Sequence, residues 1–466
     1  MHKTLFVISD LHLGGVPGKQ MCTPEGQRRL ASFIHWVGTQ RERTAEVHLV
    51  IAGDIVDFLA DDEPTIFTAN DAAAREKLQR VFTRTSEVWK ALAEFTRAGG
   101  RLTLLLGNHD PELSLPGPRR LLHEMLPGPN VDFIYDGQAC WVSEAQAHGS
   151  GSRHVLIEHG ERFDPWNWIP HDELRAIRSA LSRGEVPPDI SEIPGSRLVV
   201  EVMNELKRDH AFVDLLKPET EAAIPFLVVL KPEVLAKVRN VLQLYVAKLR
   251  RGAGPRFKTG SETSRHVERA NETLRLSLEL AGASPMGKTG APRVLAAFVD
   301  LWLAARQGSR ATQEEQLRRL RRALLASARD ADAALHVNVE QDDYLEPARQ
   351  LARRGFKYVI FGHTHLVKRA RINETGCYYL NTGTWADLMW VPREVYGDDE
   401  AAALESLRPF ANALVTNNLQ SLRRQFPTYA RVDFASEDER VDGDVFLFRD
   451  STSQLRVPDQ HIWSLV

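Results

Sequence analysis

Cysteine is nearly absent from this chain: three residues in 466, at positions 22, 140 and 377, with no CxxC pair among them. That excludes a disulfide framework and thiolate zinc modules, and reads as reduced, packed thiols in a cytoplasmic protein. Long hydrophobic runs are also missing. The longest, Ala222 to Leu230, is far too short to span a bilayer and is interrupted by Pro225. No charged, apolar, cleavable leader opens the chain; its first residues enter a strand that carries a candidate site, so a signal peptide is not expected. Excess charge of one sign is lacking too. With 59 Lys and Arg against 62 Asp and Glu, the net charge of −3 names no partner for the chain as a whole. No internal repeat or low-complexity tract is visible.

What is present is the composition of a globular protein, in a chain long enough for more than one ordinary domain. Residues 1 to about 170 read as β-α-β-α-β with further strands. Helical periodicity fills Glu25 to Gln40 and Ala72 to Ala98, where Leu78, Phe82, Val88, Leu92 and Phe95 form an apolar face and Gly99-Gly100 ends the helix. From 171 to 342 strand-like runs become scarce. Lys231-Pro232-Glu233 opens a helix striped by Val234, Val238, Val241, Tyr245 and Leu249. Gln313 to Arg329 is another, with Leu317, Leu320 and Leu324 inside and Arg318, Arg319, Arg321 and Arg322 outside. Thr273 to Leu280 fits helix or strand. Residues 343–466 return to mixed pattern: a strand over Cys377 to Leu380, a helical piece from about 398 to 425, and two closing strands at Thr428 to Phe434 and Asp444 to Phe448.

Five apolar strands end in Asp, Asn or His. Phe6-Val7-Ile8-Ser9 leads into Asp10-Leu11-His12, and Val47 to Ala52 leads into Gly53-Asp54-Ile55-Val56-Asp57. Leu102 to Leu106 leads into Gly107-Asn108-His109-Asp110. Val155 to Glu158 leads into His159-Gly160, and Tyr358 to Phe361 into Gly362-His363-Thr364-His365. In α/β proteins ligands bind at the carboxyl ends of strands, so this repetition points to one metal site assembled from five places. The ordered set DxH, GDxxD, GNHD, H and GHxH resembles the calcineurin-like metallophosphoesterases.

The resemblance implies a four-layer α/β/β/α sandwich, with two mixed sheets face to face and helices outside. The residues between the fourth and fifth motifs are then a mainly α-helical inserted cap at 171–342, dividing the sandwich into 1–170 and 343–466. It implies two divalent cations, manganese in vitro, with iron, zinc or nickel as alternatives. Asp10, His12 and His365 would hold the first, Asn108, His159 and His363 the second, and Asp54 would bridge them. The chemistry suits that assignment: a two-metal hydrolase needs cations about 3.5–4 Å apart, a shared carboxylate and hard-to-borderline N and O ligands. A hydroxide held between the metals would attack phosphorus in a phosphodiester, pyrophosphate or phosphomonoester. His109 is expected to act on the phosphoryl oxygen or leaving group, with Asp110 orienting it and Asp57 supporting the turn of the bridging ligand.

Substrate contacts are sought next to the fourth motif, where Arg162 could meet phosphate and Trp166 could stack on a base or sugar, or seal a hinge. Asp10-Leu11-His12-Leu13-Gly14 and Gly53 to Phe58 are similar to the UDP-2,3-diacylglucosamine pyrophosphatase branch. GNHD with GHTH resembles the DNA-repair nuclease branch. Residues 231–330 carry about +11 net charge, 20 Lys and Arg against 9 Asp and Glu, suited to a polyanionic substrate such as nucleic acid or to solvated helix faces. The contrasting reading is a catalytically silent scaffold that binds a partner through the insert.

Overall fold

The computed structural model describes residues 3–17, 20–142, 153–164, 166–191, 193–204, 207, 211–217, 226, 313–326, 334–374, 376–434 and 441–462. The chain forms two compact units. One comprises Met1–Ser196, Ala334–Asp387 and Gln425–Val466; the other comprises Arg197–Ala333 and Leu388–Arg424.

The first unit holds two mixed sheets. One has the strand order β14 (Gln454–Arg456), β13 (Val441–Phe448), β12 (Thr428–Phe434), β1 (Lys3–Ile8), β2 (Glu46–Ala52), β3 (Arg101–Leu105), β4 (Val131–Ile134). Strands β1 to β4 run parallel, and β12 closes antiparallel on β1. The second sheet has the order β5 (Cys140–Val142), β6 (Arg153–Ile157), β7 (Phe356–Phe361), β9 (Tyr378–Thr382), β8 (Val367–Arg371), with β6, β7 and β9 parallel. All five expected motif strands are therefore found. Their side chains are apolar on both faces because both faces are covered: Phe6, Val7, Ile8, Leu49, Val50 and Ile51 are all fully buried. Each such side chain contributes about 1.5–3 kcal/mol through burial.

Helix α1 (Pro24–Thr39) starts at Thr23, whose Oγ1 accepts from Gly26 N at 3.3 Å, with Pro24 at the first helical position. Its Phe33 lies 5.0 Å from the Tyr429 ring of β12, and Trp36 meets Phe6 of β1 edge-on at 5.5 Å. The helix expected over 72–98 is two helices, α2 (Asp71–Arg84) and α3 (Ser86–Arg97). The break falls at Thr85, whose hydroxyl donates to Val81 O at 2.7 Å and accepts from Trp89 Nε1 at 3.0 Å, so its side chain competes locally for the helix's backbone acceptors.

Helix α4 (Pro116–Met125) follows β3, and α5 (His171–Ser182) follows β6. Although α5 begins where the insertion was expected, its Ile177 packs with Leu115 and Ala74 of the first unit. The chain leaves that unit only at Ser196, within α6 (Pro194–Leu198).

The two sheets touch through β7 and β9 on one side and β12 and β13 on the other. Tyr358 Oη accepts from Gly443 N at 2.8 Å, and Thr428 Oγ1 donates to Thr382 O at 2.6 Å. A Cβ at Gly443 would sit 3.0 Å from the Tyr358 ring, so glycine permits that approach. On the second sheet, Ala348 and Leu351 of α8 (Asp342–Arg353) pack with Phe356, Val359 and Phe361.

The second unit has its own core. Leu317, Leu320 and Leu324 of α7 (Gln313–Ala326) pack with Leu404, Leu407 and Phe410 of α9 (Glu400–Val415), together with Phe212 and Phe226. Two of the four arginines expected outside on α7 are anchored there: Arg318 bonds Glu314 at 2.7 Å and Glu400 at 3.0 Å, and Arg321 donates to Val395 O and Gly397 O. The expected helix after Lys231, the segment Thr273 to Leu280, and most of the basic stretch 231–330 lie outside the described residues. Among the described residues, no helix is long and apolar enough to cross a membrane.

Candidate metal centre

Every motif is a turn at the carboxyl end of a strand, and the turns are unusual. Asp10, His12, Asp54, His363 and His365 have φ of 54°, 44°, 48°, 70° and 62°. Left-handed backbone costs a non-glycine residue of order 1–3 kcal/mol and persists only where the surroundings impose it. Here they do. Asp10 N donates to Gly53 O at 3.2 Å and His12 N to Asp54 O at 3.0 Å, while Thr384 Oγ1 donates to Asp10 O at 2.7 Å. His363 N donates to the Asp10 carboxylate at 2.9 Å, and Gly362 N to His159 O at 2.8 Å. The five turns brace one another across the two sheets.

Three ligands expected for the first cation converge. His12 Nε2 and His365 Nε2 are 2.9 Å apart, and His365 Nε2 is 3.3 Å from Asp10 Oδ1. Asp10, His12, Asp54 and His365 each bring one donor atom into a buried group whose donors all lie within 4.8 Å of one another. Those expected for the second cation lie on the far side of Asp54. His159 Nε2 is 3.1 Å from Asn108 Oδ1 and 3.4 Å from Asp54 Oδ2; the same Asp54 oxygen is 3.7 Å from His12 Nε2. His159 Nδ1 donates to Ala52 O at 2.8 Å, which leaves Nε2 as the ring nitrogen that could face a cation. Two glycines make room. A Cβ at Gly107 would lie 2.1 Å from Asp54 Oδ1, and one at Gly53, itself at φ 88°, would lie 2.5 Å from the His159 ring.

Electrostatics follow from burial. Burial drives the Asp10 carboxyl up, but the His365 hydrogen bond and the His159 charge outweigh it and hold the group at about 2. Asp54 is likewise held well below the ordinary carboxylate range, burial being overcome by His159 and His109. His159 moves well above its ordinary value because Asp54 outweighs its burial. His12 goes the other way: burial, then the His109 and His365 charges, lower it to about 3. A buried pair of carboxylates held anionic among imidazoles is a donor set that fits divalent cations of the manganese, iron or zinc type.

His109 carries a difference from expectation. Its Nδ1 is 3.1 Å from Asp57 Oδ1, and its backbone N donates to Asp54 Oδ1 at 2.8 Å. Asp110, expected to orient this imidazole, is turned under the loop, where Gly107 N and Ile55 N donate to it at 2.7 and 2.6 Å. Two buried backbone donors need an acceptor there, and Asp110 supplies it, so Asp57 is the partner of His109.

Arg162 is held as a bidentate pair by Glu158, with Nη2 2.9 Å from Oε1, and stacks on Phe163; its guanidinium offsets Glu158. Trp166 is half-buried and closes a turn: its N donates to Asp164 Oδ1 at 2.9 Å and its carbonyl accepts from Gly195 N at 2.8 Å. That turn presents a residue sequence reasoning passed over. Asp164 Oδ2 is 3.1 Å from His363 Nε2 and accepts from Asn167 Nδ2 at 2.6 Å, while Asn167 Oδ1 accepts from Asn108 Nδ2 at 3.5 Å. The Asp-x-x-Asn spacing directly after the fourth motif was the available signal.

A family model described as calcineurin-like phosphoesterase matches residues 3–210. The match takes in the first four motifs and stops before His363 and His365, which the fold brings back to the same strand ends. No curated protein matches the chain. With four motifs inside the match and the fifth returned beside them by the fold, residues 3–210 of the chain are similar to the calcineurin-like phosphoesterases.

Proposed function

We propose that the protein is a dinuclear-metal-dependent phosphoesterase acting on a phosphodiester or pyrophosphate, with manganese sufficient in vitro. The observation that carries this reading is the place of Asp54: one carboxylate oxygen stands between His12 Nε2 at 3.7 Å and His159 Nε2 at 3.4 Å, at the junction of two ligand groups. Asp10, His12, His365 and Asp54 would hold one cation, and Asp54, Asn108, His159 and His363 the other. Bound there, the cations would neutralise phosphoryl charge and make water acidic enough to act as nucleophile near neutral pH. The chain's residues do the rest. Asp57 holds His109 through Nδ1, so the imidazole is oriented to hydrogen-bond the phosphoryl group or protonate the leaving oxygen. The Asp110 carboxylate keeps the Gly107–His109 turn in shape, which positions both Asn108 and His109.

The reading extends to architecture and setting. Contact between the sheets, with α1 against one and α8 against the other, supports the α/β/β/α stack, and the separate apolar core of the second unit supports an inserted module. Cys22 and Cys140 are buried, and burial pushes the Cys140 thiol up to about 11, so neither is an exposed thiolate; this supports a reducing, cytoplasmic setting.

The test is hydrolysis of bis-p-nitrophenyl phosphate against p-nitrophenyl phosphate in manganese, with Asp54→Asn as control. Diester turnover, lost in Asp54→Asn, is expected. Faster turnover of the monoester would redirect the reading to a phosphatase, and no turnover of either by metal-loaded protein would overturn it.

A further inference from the structure

One cluster of the first unit, at the carboxyl end of β4, has no role in the proposed chemistry. Tyr135 stands at the carboxyl end of β4, directly after Ile134, which is the register partner of Leu105 on β3. Two arginines stack on its ring. The Arg119 guanidinium carbon, from α4, is 4.3 Å from the ring centroid, and that of Arg178, from α5, is 5.1 Å away. Arg178 is buried and Arg119 half-buried. Among the described residues, neither guanidinium forms an ion pair, and the buried Arg119 Nε and Arg178 Nη1 have no hydrogen-bond partner.

Neighbours on the same helices show what is missing. Arg120 pairs with Asp71 at 3.3 Å, and Arg175 pairs with Asp172 at 2.9 Å. The more exposed arginines thus have carboxylates, while the more buried ones share an aromatic ring. A ring face attracts a cation but leaves its N–H donors unsatisfied, and two like charges beside one ring repel. Burial, together with the Arg119 charge, lowers Arg178 in spite of Asp136, whose carboxylate bonds Gln138. Buried donors normally have acceptors, and an acceptor-rich anion would supply them while offsetting the two neighbouring positive charges.

We propose that Arg119 and Arg178 form an oxyanion site for a phosphate group at the carboxyl end of β4. The planar, multi-donor guanidinium suits phosphate better than any monatomic anion. Tyr135 preorganises both arginines by packing rather than by charge. Contacts from the same strand end lead toward the fourth motif. A Cβ at Gly137 would lie 2.8 Å from the His171 ring, and His171 Nε2 is 3.8 Å from Glu161 Oε1, two residues past His159. If phosphoester hydrolysis occurs at the metals, the group held here is a second phosphate of the same substrate; this assignment to substrate rests on the phosphoesterase reading, whereas the anion site does not.

The experiment is titration calorimetry of the full, chelator-treated chain with inorganic phosphate, so that no metal contributes to binding. Wild type is expected to bind phosphate, with Kd raised about 10-fold or more in Arg119→Gln and in Arg178→Lys, which keeps the charge but loses the fork. Asp54→Asn should bind as wild type does, which separates this site from the metal centre. Circular dichroism and thermal melts establish that each variant folds, and Arg119, being half-buried, supplies the variant that tolerates substitution. Absence of phosphate binding by wild type, or equal affinity in wild type and Arg119→Gln, would overturn the proposal. The source of the phosphate is read with AMP and ADP-ribose. Tighter binding of the two-phosphate probe, lost in Arg119→Gln, assigns the site to substrate; Arg119-dependent phosphate binding without that preference assigns it to free phosphate. Both readouts are independent of turnover, so failure of the hydrolase reading would not be mistaken for failure of this one.

Discussion

On one side of Asp54, His12, His365 and Asp10 touch one another directly, with a carboxylate of their own in the cluster. On the other side, Asn108 and His159 meet, Asp54 is the one carboxylate among the expected ligands, and His363 Nε2 lies against Asp164. In the first group, Asp10 and His12 sit in left-handed turns held by main-chain bonds to Gly53 O and Asp54 O, and His365 sits in another left-handed turn. In the second, bonds to the ligand side chains do more: Ala52 O holds the His159 ring, and the Asp164–Asn167 side chains reach both His363 and Asn108. A ligand fixed by the turn it belongs to needs no outside help. A ligand fixed by its neighbours inherits their vulnerability, so the two halves should respond differently to substitutions outside the ligand set.

The largest effect should come from the residue that belongs to both halves. Asp54→Asn is expected to reduce turnover by more than about 100-fold, beyond the usual range for an outer-sphere change, and to lower bound metal from two ions to one or none by elemental analysis. Retention of two tightly bound ions would show that the halves do not depend on a shared carboxylate. Next come His109→Ala and Asp57→Asn. Loss of a proton donor costs about 10²–10⁴-fold in kcat, and Asp57→Asn should follow in the same direction with metal content retained. If Asp110→Asn had the larger kinetic effect at normal stability, the geometry of His109 would have been misread.

Asp164→Asn sharpens the comparison most directly. Metal titration should show the weaker site losing affinity by roughly 10–100-fold while the other is unchanged. Equal weakening of both would erase the distinction between the halves. The smallest effect concerns burial without metal. His48, in the middle of β2, bonds Thr103 Oγ1 at 2.8 Å, and burial, with the Arg101 and Lys3 charges, lowers it to about 3, the same value as His12. A folded-state pKa below the unfolded one, about 6.5, means the unfolded chain binds more protons in between. The stability contributed by neutral His48 is therefore complete above about pH 6.5 and declines as pH falls toward 3. His48→Gln should flatten the fall of melting temperature over that window; an unchanged slope would show that His48 is not the group responsible.

How much of this was legible beforehand depends on the kind of residue. The motif strands could be read because runs such as Phe6-Val7-Ile8 and Leu102 to Leu106 are apolar on both faces, which only a covered parallel sheet requires. The seven ligand candidates could be read because Asp, Asn and His at strand ends have few other reasons to recur. The break at Thr85 was hidden inside an unbroken apolar stripe, because it arises from one hydroxyl's choice of partner. Asp164 was hidden because its partner, His363, is 199 residues away.

The sequence by itself determined which atoms could bind cations: ligand type follows from side-chain chemistry, and their placement at strand ends follows from local hydrophobic pattern. Only the tertiary structure decided which atoms meet. It gave His109 to Asp57 rather than to Asp110, occupied Arg162 with Glu158, and set Arg119 and Arg178 against one ring with no ion-pair partner among the described residues. Those outcomes depend on competition among distant donors and acceptors for a limited number of buried partners, and that competition is settled only when the sheets and helices have packed.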